Sequence, residues 1–429
     1  MKQVLMKKLV GGLRFFLNIL FFFLFYFESL HSSQIYDYQT ESFINELNKK
    51  IQSVNKYNRD IIFKIISDDY PNAYVDESNT IYLSSGLIVY STDYVSLLAV
   101  LAHEIGHIEK YHISKRRKEI NNLNTAKSYG NLAAVLGSML MERPDLINSI
   151  LVNKIAINNM FINFSQEQEI EADLYSIDTL NDLNLPLDSV IEFHLILEKN
   201  SKYNLIDNEL KKFSTHPLVS QRIDIIEYKT KHNFVNYNAQ MQEEFNFIQA
   251  KFMAYTNKGS LKKLNKDQRI YYEAIKFSTS GKLFESLKKI NFLISKYNNF
   301  SFLLETKADI LLSYGYTKQA LEFYKKVLKN EPKNNYAKFN IITNLDIKNI
   351  NPQNLFFFDY VHLILIFPNN QILISKLYYL AKELNLQEWE IFFQILKLND
   401  KNKNKNLNNI KEITEDNNLK KIINEYLSL

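Results

Sequence analysis

The sequence LLAVLAHEIGHIEKYH, which runs from Leu97 to His112, decides the fold of the first half of this chain. It places His103 and His107 four residues apart, and residues with this spacing lie on one face of an α-helix. Two imidazoles on one face can bind one metal ion. Glu104 is rotated by about 100° around the helix, so it is a poor ligand but can reach a water on that metal. The pattern predicts a metallohydrolase centre in which this carboxylate accepts the proton of the water.

The alternative is a structural helix that happens to carry two solvated histidines. A chance H-E-x-x-H match in a chain with eight histidines has odds on the order of one in a hundred. The apolar residues before and within the motif predict a mostly buried helix, where two imidazoles and a carboxylate need partners. The catalytic interpretation is therefore favoured.

A second motif, EIEAD, places Glu169 and Asp173 four residues apart on another predicted helix. The two carboxylates share a helix face. One could ligate the metal while the other orients a ligand histidine through its second ring nitrogen, and the spacing does not decide between them. Taken alone, this acidic cluster is more typical of a solvated helix face.

Composition bounds the class of protein. The 429 residues are 46% hydrophobic, which suits about two or three domains, each with its own core. The formal net charge of +5 is spread along the chain, so nucleic-acid binding is not indicated. The chain has no cysteine, so any metal must be held by His, Asp or Glu.

Residues 1–33 have the character of a targeting segment. Four basic residues precede the apolar run FFLNILFFFLFYF, whose ~13 residues are fewer than the ~20 that a membrane-spanning helix needs. Small residues follow the run. This order is typical of a cleaved secretory signal peptide, and an uncleaved N-terminal membrane anchor is the alternative.

The segment that follows predicts a small α+β domain, residues 34–240. An amphipathic helix precedes the short β-branched or aromatic segments IIFKII, NAYV and TIYLS, which predict a small antiparallel sheet. We expect an extended substrate to pair with an edge strand near Ile81–Ser84. The tripeptide STD, residues 91–93, predicts the start of the HEIGH helix. The apolar segment Leu132–Leu140 predicts a helical lid over the site.

A repeat of 34 residues appears within residues 241–429. Pro332 stands at the end of one repeat, and the spacing and small residues are those of tetratricopeptide repeats. Such repeats stack into an α-helical solenoid whose concave surface binds a protein partner. The pairs that match at this spacing include Gly281 and Gly315, Ala274 and Ala308, and Leu287 and Leu321.

HEIGH, EIEAD and THPLVSQRI, in this order, resemble the signature of the gluzincin zinc metalloproteases of the HtpX/BepA type. The resemblance covers roughly residues 61–226, and the order of leader, catalytic domain and repeats extends it to most of the chain. It implies a mainly α protein. A zincin-like α+β metalloprotease domain with a small antiparallel sheet would precede an α-helical tetratricopeptide-repeat solenoid.

The resemblance also assigns roles to the motif residues. His103, His107 and Glu169 would hold one Zn²⁺. Glu104 would be the catalytic base, and Asp173 would act behind a ligand histidine. These assignments settle, by resemblance alone, which acid of EIEAD is the ligand.

His216 of THP would lie near the zinc, close its fourth position and act as a switch. Without the resemblance it is a turn histidine before a proline. Arg222 would form a structural ion pair. Gln166 and Ser176 depart from the family pattern, which usually has arginine and often glycine there. Four further histidines are expected to be structural or ordinary: His112, His194, His232 and His362.

The function implied is a periplasmic endopeptidase that hydrolyses unfolded or misassembled envelope proteins, with chaperone-like quality control. The outer-membrane assembly machinery would be a partner through the repeats, with possible peripheral membrane contact and no nucleic acid. An alternative from another class is a repeat-based chaperone or scaffold whose zinc site is regulatory or rarely catalytic. A metallohydrolase for other substrates is a weaker alternative, because no phosphate- or sugar-recognition motif is present.

Overall fold

The computed structural model describes residues 34–115, 118, 166–203, 236–297, 300–346, 357–398 and 402–428. The predicted leader, the predicted lid, His216, Arg222 and His232 lie outside these ranges. The described residues form a mainly helical structure with one small sheet, which confirms the predicted fold class. No helix among them is both long enough and apolar enough to cross a bilayer.

The sheet is mixed. Among the described residues it contains β1 (Gln34–Ile35), β2 (Ile62–Ile66), β3 (Ala73–Val75) and β4 (Thr80–Ser84), in the order β1-β2-β4-β3. The outer pairs are antiparallel, whereas β2 and β4 are parallel. The prediction of an antiparallel sheet is therefore wrong in this detail. β3 and β4 do form the hairpin that the polar turn between them suggests, but β4 then inserts beside β2 in a pairing that local patterns do not encode.

This strand order also corrects the expected substrate edge. β4 has a neighbouring strand on each side, so Ile81–Ser84 is not an edge. Among the described strands, the edge on this side of the sheet belongs to β3. Tyr74 of β3 stacks on Tyr82 of β4 with ring centroids 4.8 Å apart, which holds the short edge strand to its partner.

Five helices accompany the sheet in the first part of the described chain. They are α1 (Tyr38–Asn55), α2 (Ser85–Tyr90), α3 (Tyr94–Glu109), α4 (Gln166–Asp182) and α5 (Asp188–Tyr203). α3 lies at the centre and contacts α1, α4, α5 and β3. It begins with a capping box, in which the Asp93 side chain accepts from the backbone N–H of Ser96 at 2.8 Å and Ser96 Oγ accepts from that of Asp93 at 3.2 Å. The predicted start of this helix is confirmed.

α3 and α4 approach each other closely at Gly106. A Cβ at this position would lie 3.1 Å from Cα of Ala172 and 3.2 Å from Cβ of Tyr175, so a larger residue would push the helices apart. Oγ of Ser176, where the sequence resemblance often implies glycine, donates to the carbonyl oxygen of Ala99 at 2.8 Å. The two helices are thus both tightly packed and hydrogen-bonded.

The rest of the described chain is helical. Its helices are α6 (Ala239–Thr256), α7 (Lys266–Thr279), α8 (Leu283–Lys296), α9 (Ser301–Ser313), α10 (Thr317–Asn330), α11 (Asn335–Asn344), α12 (Phe358–Val361), α13 (Leu363–Ile366), α14 (Gln371–Glu383), α15 (Gln387–Lys397), α16 (Lys403–Ile413) and α17 (Asn417–Ser428). α7 packs on α8 and α9 on α10. The turns inside these pairs contain Gly281 at φ 79° and Gly315 at φ 81°, a left-handed conformation that glycine adopts without strain.

α6 joins the sheet domain to the helix pairs. The side-chain amide of Gln249 donates to the carbonyl oxygens of Ile88 and Ser91, at 2.9 and 2.8 Å. One apolar core continues from α1 through α3 and α6 to α9, from Phe43 to Ile310. The predicted boundary after residue 240 falls at the start of α6, inside this shared core.

Candidate metal centre

α3 directs two imidazoles toward one point. The Nε2 atoms of His103 and His107 lie 3.1 Å apart, as expected for residues one helical turn apart on one face. Their exposed fractions are 4% and 0%. Water therefore does not satisfy these ring nitrogens from the surface, and other partners must do so.

α4 supplies a carboxylate to the same point. One oxygen of Glu169 lies 3.5 Å from Nε2 of His103, and the other lies 3.6 Å from Nε2 of His107. Glu169 is itself buried. The close approach of α4 at Gly106 is what brings this side chain within reach of both rings.

The outward-facing nitrogens of both rings also have partners. Nδ1 of His103 lies 2.8 Å from Oδ1 of Asp173, so its N–H donates to a carboxylate. Nδ1 of His107 lies 2.9 Å from Nδ1 of His112. Nε2 of His112 in turn lies 2.9 Å from Oε2 of Glu171.

This arrangement fits a metal ion. When each Nδ1 donates outward, each Nε2 presents a lone pair inward, beside a carboxylate. The three donor groups, from His103, His107 and Glu169, offer atoms that all lie within 4.8 Å of one another. Three buried electron-pair donors facing one another need a shared cation or proton to be stable. Two imidazole nitrogens and a carboxylate oxygen are ligands that Zn²⁺ and related transition metals accept.

Glu104 lies beside this group rather than in it. Its side chain is 1% exposed, and it follows His103 on α3, so it projects from an adjacent side of the helix. It does not belong to the three-residue group whose atoms converge. This placement suits a carboxylate that acts on a molecule bound next to the metal.

Sequence reasoning did not anticipate the contact of His112 with His107. His112 follows His107 by five residues, a spacing that leaves the shared face of a continuous helix. α3 ends at Glu109, and Tyr111 takes the left-handed conformation at φ 57°, which returns His112 to the site. Arg59 stabilises this turn, because its guanidinium lies 4.4 Å from the centre of the Tyr111 ring and its Nε lies 3.0 Å from Glu109.

The electrostatics of His112 and Glu171 agree with a neutral ring that donates to a carboxylate. The hydrogen bond from His112 holds the pKa of Glu171 below its ordinary value. Burial lowers the pKa of His112. The His112 ring is fully buried, whereas the Glu171 side chain is half exposed. The pair therefore extends from the interior to the protein surface.

The remaining motif residues are distributed as follows. Nδ1 of His194 lies 2.8 Å from the carbonyl oxygen of Val190, one turn earlier on α5, and Nε2 of His362 lies 2.8 Å from Oδ1 of Asn335. Neither belongs to the converging group. Gln166 begins α4. The predicted roles of His216 and Arg222 fall outside the described residues.

The profile of peptidase family M48 matches residues 38–230. This range contains the sheet from β2 onward, the α3–α4 pair and all three converging donors. Residues 38–230 of this chain are similar to peptidase family M48. The family's peptidases are metal-dependent, so the family agrees with the fit of the site to a metal ion, and the predicted family resemblance is confirmed.

Curated proteins similar to the M48 region include two with the same name. The beta-barrel assembly-enhancing protease of Yersinia pestis is 27% identical over 203 residues, which cover 46% of this chain and 41% of that protein. Its counterpart in Escherichia coli K12 is 26% identical over 183 residues, 42% of this chain and 37% of that protein. Metalloprotease LoiP of the same strain is 26% identical over 164 residues, which cover 37% of this chain and 59% of that protein. The chain thus spans about two-fifths of the length of the first two.

Proposed function

We propose that this chain is a zinc-dependent endopeptidase. The observation that carries the proposal is the convergence of His103, His107 and Glu169 on one buried point, with Asp173 behind the first histidine. Three protein ligands that leave one position open are the pattern of a catalytic zinc, whereas structural zinc sites are closed by four. The similarity of residues 38–230 to peptidase family M48 supports a peptide substrate.

Each of these residues has a distinct role in hydrolysis. His103, His107 and Glu169 hold the ion, and Asp173 keeps His103 oriented by accepting its Nδ1–H. Zinc, when bound, would lower the pKa of a water to near 7 and polarise the peptide carbonyl. Glu104 accepts the proton of the attacking water and then donates it to the amine of the leaving strand. Attack by the water oxygen forms the new C–O bond at the carbonyl carbon, and the C–N bond then breaks as the leaving amine accepts the proton from Glu104.

The substrate would be an extended chain that adds to the edge of the sheet. β3 supports this, because it is an edge among the described strands and it contacts α3. An added strand gains backbone hydrogen bonds that do not depend on side chains. This mode of binding suits unfolded or misassembled proteins, which expose extended segments of varied sequence.

We place this activity in the periplasm, with residues 1–33 as the export signal or anchor. The names of the two beta-barrel assembly-enhancing relatives support substrates among outer-membrane proteins. The helix pairs α7–α8 and α9–α10, with their matching glycine turns, support tetratricopeptide repeats. The concave surface of such repeats would bind the assembly machinery. His216 would occupy the fourth zinc position until a substrate displaces it.

A chaperone-like function is a second candidate. The specific observation in its favour is the long series of helices after residue 239, because none of its described residues belongs to the converging group of His103, His107 and Glu169. Such a series offers a surface for client proteins. Rescue of an envelope-assembly defect by a proteolytically inactive variant would favour this function over proteolysis.

Glu104→Gln tests the endopeptidase directly. We expect the purified variant to retain zinc, measured by metal analysis, and to lose cleavage of casein or another unfolded protein. Glu167→Gln is a matched control, because it makes the same change on an exposed carboxylate in the first turn of α4. Cleavage by Glu104→Gln at the wild-type rate would contradict the proposal.

A further inference from the structure

His112 and Glu171 have no role in the mechanism above, although hydrogen bonds link both of them to His107 of the candidate metal centre. The His112 ring is fully buried and meets the His107 ring nearly edge-on, with centroids 5.0 Å apart and planes at 70°. This orientation places Nδ1 of one ring 2.9 Å from Nδ1 of the other. The contact is therefore a hydrogen bond between rings rather than a stacking contact.

One hydrogen lies between these two nitrogens, and its position decides what His107 can do. If the hydrogen is on Nδ1 of His107, a neutral ring leaves Nε2 with a lone pair for the metal. If it is on Nδ1 of His112, then Nδ1 of His107 is the acceptor. A neutral His107 then carries its hydrogen on Nε2 and cannot bind a metal there. The tautomer of His112 thus selects between a competent and an incompetent ligand.

Glu171 removes this ambiguity. A carboxylate accepts hydrogen bonds but does not donate them, so Oε2 of Glu171, 2.9 Å from Nε2 of His112, requires a hydrogen on that nitrogen. A neutral His112 then has a lone pair on Nδ1 and accepts from His107. When both rings are neutral, the three side chains have one consistent set of hydrogens, and in it Nε2 of His107 faces Glu169 and His103 with a lone pair.

We infer that His112 and Glu171 are positioning residues that hold His107 in the tautomer and orientation needed to bind the metal. This inference rests on the proposed function of His107 as a zinc ligand. The two ligand histidines then use different supports: His103 donates to Asp173 directly, whereas His107 reaches Glu171 through a second imidazole. Residues that support metal ligands in this way typically change metal affinity or activity by 10- to 100-fold when they are replaced.

Four variants of the full chain test the inference. His112→Leu removes the acceptor for His107. His112→Asn keeps one, because Oδ1 of asparagine occupies about the position of Nδ1 of histidine. Glu171→Ala leaves His112 in place but frees its tautomer, and it alters a half-exposed side chain rather than the core. Glu167→Ala is the matched control on the exposed part of the same helix.

The first measurement is zinc affinity by competition with a fluorescent chelator. We expect His112→Leu to weaken zinc binding by 10- to 100-fold, His112→Asn to recover most of the loss, Glu171→Ala to weaken it by a smaller factor, and Glu167→Ala to match wild type. The second measurement is the tautomer of His107 from long-range ¹H–¹⁵N NMR of ¹⁵N-histidine-labelled protein. We expect Nδ1–H in wild type and loss of this single state in Glu171→Ala.

The outcomes separate this inference from the proposed function. If wild type binds no zinc, the zinc endopeptidase itself is wrong. If wild type binds zinc and both His112→Leu and Glu171→Ala match its affinity and retain Nδ1–H on His107, the positioning role is wrong and the endopeptidase stands. If His112→Leu does not fold, Glu171→Ala and His112→Asn decide the question. The inference is contradicted if Glu171→Ala has the wild-type zinc affinity and the wild-type His107 tautomer, or if His112→Asn weakens zinc binding by the full 10- to 100-fold.

Discussion

The ammonium of Lys251 lies 2.6 Å from Oδ2 of Asp37 and joins the middle of α6 to the residue that caps α1. The two side chains are 9% and 13% exposed. Asp37 also accepts from the backbone N–H of Thr40 at 2.9 Å. One carboxylate therefore caps the first helix of the region that is similar to peptidase family M48 and anchors this helix to the helical region that follows.

Lys251→Met is expected to destabilise the protein strongly. Removal of one partner leaves a buried charge uncompensated, which typically costs about 3–5 kcal/mol. Urea unfolding at pH 7 should therefore show a lower midpoint for this variant. Lys258→Met is the matched control, because Lys258 pairs with Asp69 at the exposed surface and such pairs contribute about 0–1 kcal/mol. Equal losses in the two variants would contradict a special role for the buried pair.

The raised pKa of Glu305 in α9 predicts that the protein loses stability as pH rises. Burial, with the like charges of Asp309 and Asp37, raises the pKa of Glu305 to about 8, against an ordinary value of 4.5. The folded protein thus holds this proton more tightly than the unfolded chain. The associated stability is complete below the unfolded value and is lost as pH rises through about 8.

Glu305→Gln should remove this dependence while keeping an acceptor for the Asn334 amide, which lies 2.7 Å from the carboxylate. We expect the variant to match wild type near pH 5 and to exceed it at pH 8.5, by an amount on the order of a few kcal/mol. Glu285→Gln on the exposed face of α8 is the control. If the urea midpoints of wild type and Glu305→Gln change with pH in the same way, burial does not raise the pKa of Glu305.

Asp173→Asn is expected to weaken zinc binding even though the side chain keeps its shape. The carboxylate accepts Nδ1–H of His103 at 2.8 Å, whereas an amide can present either a donor or an acceptor and no longer specifies the tautomer. The expected loss of zinc affinity is about 10- to 100-fold, measured by chelator competition. Asp178→Asn, an exposed change on the same helix, should leave the affinity unchanged, and a similar loss in both would point to a general effect on α4.

The parts of the site that lie within single helices could be predicted from the sequence. His103 and His107 share a face because of helical geometry alone, and the same holds for Glu169 and Asp173. The structure brings the two faces together. The two helices approach most closely at Gly106, because this residue has no side chain to keep α4 away. The periodicity of the sequence does not predict this approach.

Contacts set by distant pairings or by turns could not be predicted in this way. The position of His112 depends on the left-handed conformation of Tyr111, which interrupts the helical spacing. The parallel pairing of β2 with β4 and the ion pair of Asp37 with Lys251 join segments far apart in the chain. Local patterns carry no information on such pairings, because many registers have similar local preferences.

Substitution of Gly106 should impair the candidate metal centre without changing any of the proposed ligands. Alanine at this position would place Cβ 3.1 Å from Cα of Ala172, so α4 must shift by a few tenths of an ångström and carry Glu169 with it. Overpacking of this kind costs about 1–3 kcal/mol, while the better helix propensity of alanine returns up to about 1 kcal/mol. The free energy of unfolding of the alanine variant should therefore fall by no more than about 3 kcal/mol, whereas zinc affinity should fall from glycine to alanine and further to valine. Equal zinc affinities in the three proteins would show that the helix spacing at this point does not set the geometry of the site.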